Sequence, residues 1–185
     1  MTDPGSSTER QQSRLRAADC AGAILAGGRG RRMGGVQKAL EPLAGRPLLQ
    51  HVIDRLEPQV AMLALSVERF DDTLSSFGIE QIPDPEPGSR GPLGGLLAAL
   101  GHAADMGYEW LVLAPCDAPF LPPDLAVRLR DCARSQRARA VAVAHRGHLH
   151  PVFSLWHRTV LTELDKAVRG QGLGGFKAFL RSQPH

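Results

Sequence analysis

The sequence predicts an α/β fold: a doubly wound, mostly parallel sheet with helices on both faces. Three observations predict it. Short apolar runs alternate with segments of helical spacing through most of the chain. The central runs, such as Trp110 to Ala114, are short and continuously apolar, as expected of parallel strands buried on both faces. Several runs stop abruptly at Gly, Pro or Asp, at the carboxyl ends where ligands bind in such sheets.

In chain order, Met1 to Asp19 is polar and lacks a secretory apolar core, so residues 1–19 read as a disordered leader and 20–185 as one domain. Ala21 to Leu25 is a buried strand meeting a loop at Ala26-Gly27-Gly28. The loop runs to Lys38. Pro47 opens a helix over Leu48 to Leu56, which Pro58 ends. Val60 to Val67 is the second strand, Asp71 to Phe77 a short helix stopped by Gly78, and Ile79 to Ile82 a brief third strand. Pro83 to Pro92, rich in Pro and Gly, is a loop. Helical spacing covers Leu93 to Met106 and closes at Gly107. After the strand Trp110 to Ala114, Pro122-Pro123-Asp124 starts a helix through Cys132. Ala138 to Ala144 and Val152 to Trp156 are further strands, and helical segments at Val160 to Val168 and Phe176 to Arg181 finish the chain. This layout sends the segments after Leu25, Ile82 and Ala114, and with them Lys38, Asp84 and Asp117, into one crevice.

Composition narrows the function. A hydrophobic fraction of 43% with 22% charge reads as globular, and no apolar run approaches the ~20 residues of a membrane span. A net charge of +3 is too weak to imply nucleic acid. Cys20, Cys116 and Cys132 are widely spaced and form no metal pattern, which favours reduced thiols in the cytoplasm. The chain has three lysines, Lys38, Lys166 and Lys177, and one of them lies in the glycine-rich segment.

That segment, Leu25 to Lys38, joins flexible backbone to dense positive charge. Glycines let main-chain N–H groups approach an anion, while Arg29, Arg31 and Arg32 offer planar donors and Lys38 a compact charge. A solvated arginine-rich loop is the plainer alternative. The dinucleotide fingerprint fails, because Met33 stands where its last glycine belongs, and Lys38 lacks the G-K-[ST] setting of a P-loop. Asp117, at the end of a buried strand, suits a divalent cation or caps a turn before Pro119. Asp84 opens a Pro-rich loop, where turn formation alone would explain it. Gly94 and Gly95 admit either a ligand or close helix packing. His145, His148 and His150 read as a polar hairpin rather than a zinc site, since no cysteine or carboxylate accompanies them. Cys116, beside Asp117, reads as a small buried residue.

The run Leu25-Ala26-Gly27-Gly28 with Arg32-Met33-Gly34 and Lys38 resembles the nucleotidyltransferase signature L-[AG]-[AG]-G-x-[GS]-x-R-[ML]-G-x-x-K, with three residues in place of two between Gly34 and Lys38. With Pro47 to Val52, Gly91-Pro92-Leu93-Gly94-Gly95, Pro115 to Phe120 and His150 to Phe153, the chain from about Ala21 to Phe179 is similar to the molybdenum cofactor guanylyltransferases. The resemblance implies a Rossmann-like nucleotide-diphospho-sugar transferase fold. It also implies transfer of GMP from GTP to the terminal phosphate of molybdopterin, with Mg²⁺ as cofactor and pyrophosphate as leaving group. By that pattern Leu25, Ala26, Gly27, Gly28, Lys38, Asp84, Gly94 and Asp117 bind GTP. Arg32, Lys38 and Asp117 are the catalytic set, and Asp117 holds the metal. Cofactor-insertion or molybdoenzyme partner proteins are implied as well.

The chain departs from the pattern at Gln37, where the family often has Asp, and at Ser66 to Arg69, where it commonly shows N-x-N-R. The family's later N-x-N-[TS]-P-[ED] segment, which helps receive the pterin, has no match before His185, so cofactor binding that is altered, borrowed from a partner or absent is expected. Two alternatives stay open: a cytidylyltransferase acting on the same cofactor, against which Gly27 speaks because those enzymes usually carry alanine there, and a non-catalytic nucleotide- or cofactor-binding partner protein.

Overall fold

The computed structural model describes residues 20–27, 37–85 and 91–182. The leader at 1–19 therefore lies outside the described residues, as do Gly28, Arg29, Arg31 and Arg32. The strands are β1 (Cys20–Leu25), β2 (Pro42–Leu43), β3 (Arg46–Pro47), β4 (Met62–Val67), β5 (Glu80–Pro83), β6 (Trp110–Pro115), β7 (Ala140–His145) and β8 (His148–His157). The helices are α1 (Leu48–Leu56), α2 (Asp72–Ser75), α3 (Pro92–Asp105), α4 (Leu125–Gln136), α5 (Leu161–Asp165, continued by a π turn at Lys166–Gly170) and α6 (Phe176–Ser182).

Six strands form one sheet in the order β5-β4-β1-β6-β8-β7, and β2 and β3 form a separate hairpin. β1 pairs parallel with β4 and β6, and β4 pairs parallel with β5. β8 runs antiparallel to both β6 and β7. The mostly parallel sheet expected from the sequence is the observed one.

Both faces are covered. Successive side chains of a strand point to opposite faces, and β1 shows this directly. Cys20 and Ile24 join the layer of α1, α4 and Leu74 of α2, whereas Ala21 and Ala23 join the layer of α3, α5 and α6. Small residues suit a central strand squeezed from two sides. The second layer closes on Trp156, whose ring centroid lies 6.1 Å from that of Phe176 and 5.9 Å from that of Phe179. Its buried indole N–H donates to Ser154 Oγ at 2.7 Å, so the polar handle is satisfied inside the core.

The chain winds outward from β1 to β4 to β5, then crosses back to place β6 on the other side of β1. The carboxyl ends of β1 and β6 thus flank the point where winding reverses, which is where an open α/β sheet leaves a crevice.

Differences from the expected elements are local. α4 continues to Gln136 instead of stopping at Cys132, because Ala133 still buries and the stop comes only at left-handed Arg137, φ 51°. α2 is confined to Asp72–Ser75: the Asp71 side chain caps it by accepting from Thr73 N–H, and Phe77 already belongs to a turn. β4 starts at Met62, since a 3-10 turn at Glu57–Gln59 follows α1 first. β8 reaches back to His148 because Arg146 and Gly147, φ 49° and 76°, make a tight hairpin turn. The two-residue strands β2 and β3 carry no periodicity to read. Among the described residues no helix is long and apolar enough to cross a membrane.

Candidate active site

The crevice begins where β1, β4 and β6 stay paired to their last residues. Leu25 sits between Ser66 of β4 and Pro115 of β6. Beyond it, Ala26 N–H donates to the Ser66 carbonyl at 2.8 Å, and Cys116 N–H donates to the Leu25 carbonyl at 3.2 Å. Asp84 N–H donates to the Val67 carbonyl at 2.9 Å, so β5 leaves the sheet against the end of β4.

Two glycines are required here by close approach. A Cβ on Gly27 would stand 2.8 Å from Glu68 N and 3.3 Å from Val67 C, which is backbone that cannot swing aside. A Cβ on Gly95, in the first turns of α3, would overlap Ser66 Oγ and come within 3.0 Å of Leu25 Cδ2 and 3.5 Å of Asp84 Oδ1. Leu25, Ser66, Asp84 and Gly95 therefore meet at one spot, with Gly94 buried beside it.

On the β6 side of the crevice stands a charged pair. Lys38 opens the 3-10 turn Lys38–Leu40, anchored by buried Ala39. Its Nζ donates to Asp117 Oδ2 at 3.0 Å, just past the end of β6. The two side chains are 47% and 37% exposed, so both remain open to a ligand. The hydrogen bond from Lys38 to the Asp117 carboxylate, and the attraction behind it, push the lysine pKa above its ordinary value. Cys116, next to Asp117, is buried, and burial raises its thiol to about 11. The reading of Cys116 as a small buried residue therefore holds.

The structure thus gathers Leu25, Ala26, Gly27, Asp84 and Gly94 around the ends of β1, β4 and β5, and pairs Lys38 with Asp117. Sequence reasoning missed Ser66 as part of this packing. Its signal was present: a serine inside an apolar strand, and one of two buried polar residues, with Ser154, among those described. It also missed the surroundings of Gln37, whose amide is hydrogen-bonded to Asp71 and Thr73. The histidine hairpin forms as expected, and among the described residues no group of three or more His, Cys, Asp or Glu side chains is placed to hold a metal ion. A groove of about 200 Å³ between the end of α1 and α4, lined by Arg55, Pro58, Gln59, Ala126, Arg130 and Arg134, contains none of the site residues.

Residues 22–185 match the family described as the MobA-like NTP transferase domain. The chain is 41% identical over 165 residues to a molybdenum cofactor guanylyltransferase of Rhodopseudomonas palustris, covering 87% of this chain and 78% of that one. A molybdenum cofactor guanylyltransferase of Cupriavidus pinatubonensis is 40% identical over 159 residues, covering 83% and 78%. Among solved structures, molybdopterin-guanine dinucleotide biosynthesis protein A of Archaeoglobus fulgidus superposes with a TM-score of 0.71 at 27% identity, over 87% of this chain and 78% of that one.

Proposed function

The chain belongs to the MobA-like NTP transferase domain family, and from that premise we propose that it is a molybdenum cofactor guanylyltransferase. The observation that carries the reading is the Lys38–Asp117 pair at the carboxyl end of β6, facing the glycine-lined crevice at the end of β1.

In this reaction an oxygen of the terminal phosphate of molybdopterin attacks the α-phosphorus of GTP. A new P–O bond forms, the bond to the β-phosphate bridge breaks, and its electron pair leaves with pyrophosphate. Two polyanions must meet, so screening and alignment do most of the work and no covalent protein nucleophile is needed. The buried Cys116 thiol, raised to about 11, is consistent with that. Lys38 binds a phosphate oxygen of the nucleotide, and Arg32 adds a planar donor for the transition state or the leaving pyrophosphate. Leu25, Ala26, Gly27, Gly28 and Gly94 shape the nucleotide pocket, with Asp84 at its rim.

Asp117 is the proposed metal residue. Its Oδ2 accepts from Lys38, and its exposed carboxylate keeps further acceptor capacity. The donor set fits Mg²⁺, which is held by one or two carboxylates while phosphates and water complete its shell, and needs no all-protein cage. When bound, Mg²⁺ supplies charge screening on the triphosphate. The free thiols of Cys20, Cys116 and Cys132 suit a reducing compartment, the cytoplasm.

The experiment is pyrophosphate release with GTP, Mg²⁺ and molybdopterin, with CTP in parallel. Release with GTP supports the reading. Preference for CTP transfers it to the cytidylyl reaction, and nucleotide binding without release in either mixture transfers it to a non-catalytic partner protein.

A further inference from the structure

We infer that Gln37 is the positioning residue that aims Lys38, held by the amide-to-carboxylate clamp it forms with the capping turn of α2. The inference rests on the functional reading above for what Lys38 is aimed at, and on geometry alone for the aiming itself.

A lysine on a flexible four-carbon stem at an exposed site needs its own backbone fixed if its ammonium is to stay at one place. Behind Lys38, buried Ala39 supplies one anchor. Gln37 supplies the other. Its Nε2 donates to Asp71 Oδ2 at 2.8 Å, 34 positions away in sequence. Its Oε1 lies 3.1 Å from the Thr73 hydroxyl, which also stands 2.5 Å from Asp71 Oδ1 and has one proton for the two. The orientation of the amide is forced, because the opposite one would set its oxygen against the Asp71 carboxylate.

The clamp is itself braced. Asp71 Oδ1 accepts from Thr73 N–H at 2.9 Å as the cap of α2. Gln81 of β5 then grips the backbone of Asp71 twice: its Oε1 accepts from Asp71 N–H and its Nε2 donates to the Asp71 carbonyl, both at 2.9 Å. Gln81 is paired with Leu65 in the sheet. The line of support thus runs from the sheet through Gln81 and Asp71 to Gln37, and one residue later to Lys38 and its 3.0 Å contact with Asp117. A side chain that only solvated the surface would not have its amide set against one turn that the sheet holds in place.

The geometry allows an inversion that tests it. Gln37→Glu puts a carboxylate against the Asp71 carboxylate and opens the clamp. Adding Asp71→Asn closes it again: the amide nitrogen introduced at that position donates to the introduced carboxylate, while the amide oxygen still caps Thr73. Asp71→Asn alone is milder, because Gln37 can turn its amide over. Lys38 reports directly, through its acylation rate in the free protein measured by mass spectrometry against Lys166 and Lys177 as internal references. In Gln37→Glu we expect the Lys38 ratio to rise by about fivefold, the loss of roughly one net hydrogen bond, and to return in the double variant. Pyrophosphate release with GTP should fall about tenfold in kcat/KM in Gln37→Glu, as misalignment does, and recover in the double variant. An unchanged Lys38 ratio in Gln37→Glu overturns the inference. So does a raised ratio that Asp71→Asn fails to restore. If the wild-type protein releases no pyrophosphate, the functional reading fails while the acylation ratios still decide the clamp.

Discussion

Lys38 Nζ and Asp117 Oδ2 stand 3.0 Å apart across 79 positions of sequence, beside the reversal point of the sheet. Both are well exposed, and an exposed ion pair contributes only about 0–1 kcal/mol to stability. The pair therefore adds little to the stability of the fold. Asp117→Ala should therefore abolish Mg²⁺-dependent turnover while shifting the thermal midpoint by no more than a few degrees, as ~1 kcal/mol would in a domain of this size. Pyrophosphate release and a melting curve on the same preparation check both halves, and full activity in the variant would remove Asp117 from the metal site.

Gly95→Ala should destabilise the domain, because the added methyl overlaps Ser66 Oγ and presses on Leu25. Overpacking of this kind costs about 1–3 kcal/mol. Ser66→Ala in the same protein removes the overlapping oxygen and should return part of that loss. Urea unfolding of the two single variants and the double variant measures the coupling; additive losses would show that the two groups do not meet.

Thiol labelling separates Cys132 from Cys116. The thiolate is the reactive species, and burial raises Cys116 to about 11, so little of it is ionised at neutral pH. Half-buried Cys132 should react with iodoacetamide well before Cys116 or Cys20 in the native protein. Cys116→Ala should keep its turnover. A loss of activity beyond any loss of folding would bring covalent catalysis back.

Stability should fall away on both sides of neutral pH. Burial lowers the pKa of His157 below its ordinary 6.5, against the pull of Glu109 and together with Arg158 and Arg139. The unfolded chain then binds a proton that the folded one does not, so stability is lost as pH falls through 6.5. Hydrogen bonds from Gln50 and Arg46 hold Asp54 below 3.8, and Arg139 holds Glu163 below 4.5. Their contributions are present above those values and are lost as pH falls below them. Lys38, raised above 10.5, contributes below that value and loses its contribution as pH rises through the folded one. The urea midpoint should accordingly be highest between about pH 7 and pH 10, and His157→Gln should remove only the step near pH 6.5.

Local chemistry determined much of this protein from the sequence alone. The strand Ala21 to Leu25 could be read because an apolar run that breaks into Ala26-Gly27-Gly28 has few other folds open to it. The helix Leu48 to Leu56 could be read because Pro47 and Pro58 fix its ends, and the position of Asp117 because the apolar run before it is a strand that ends at Pro115. These are short-range facts, in which a residue and its neighbours settle the backbone between them. Tertiary structure decided the rest. Nothing near Gln37 in the chain announces Asp71, Thr73 or the bracing Gln81, because their hydrogen bonds exist only once β5 and α2 are packed beside the end of the glycine-rich segment. Ser66 and Gly95 likewise become one feature only when α3 settles on β4. A hydrogen bond or a close contact between distant segments depends on where the sheet sets them, and no residue carries that distance in its own sequence.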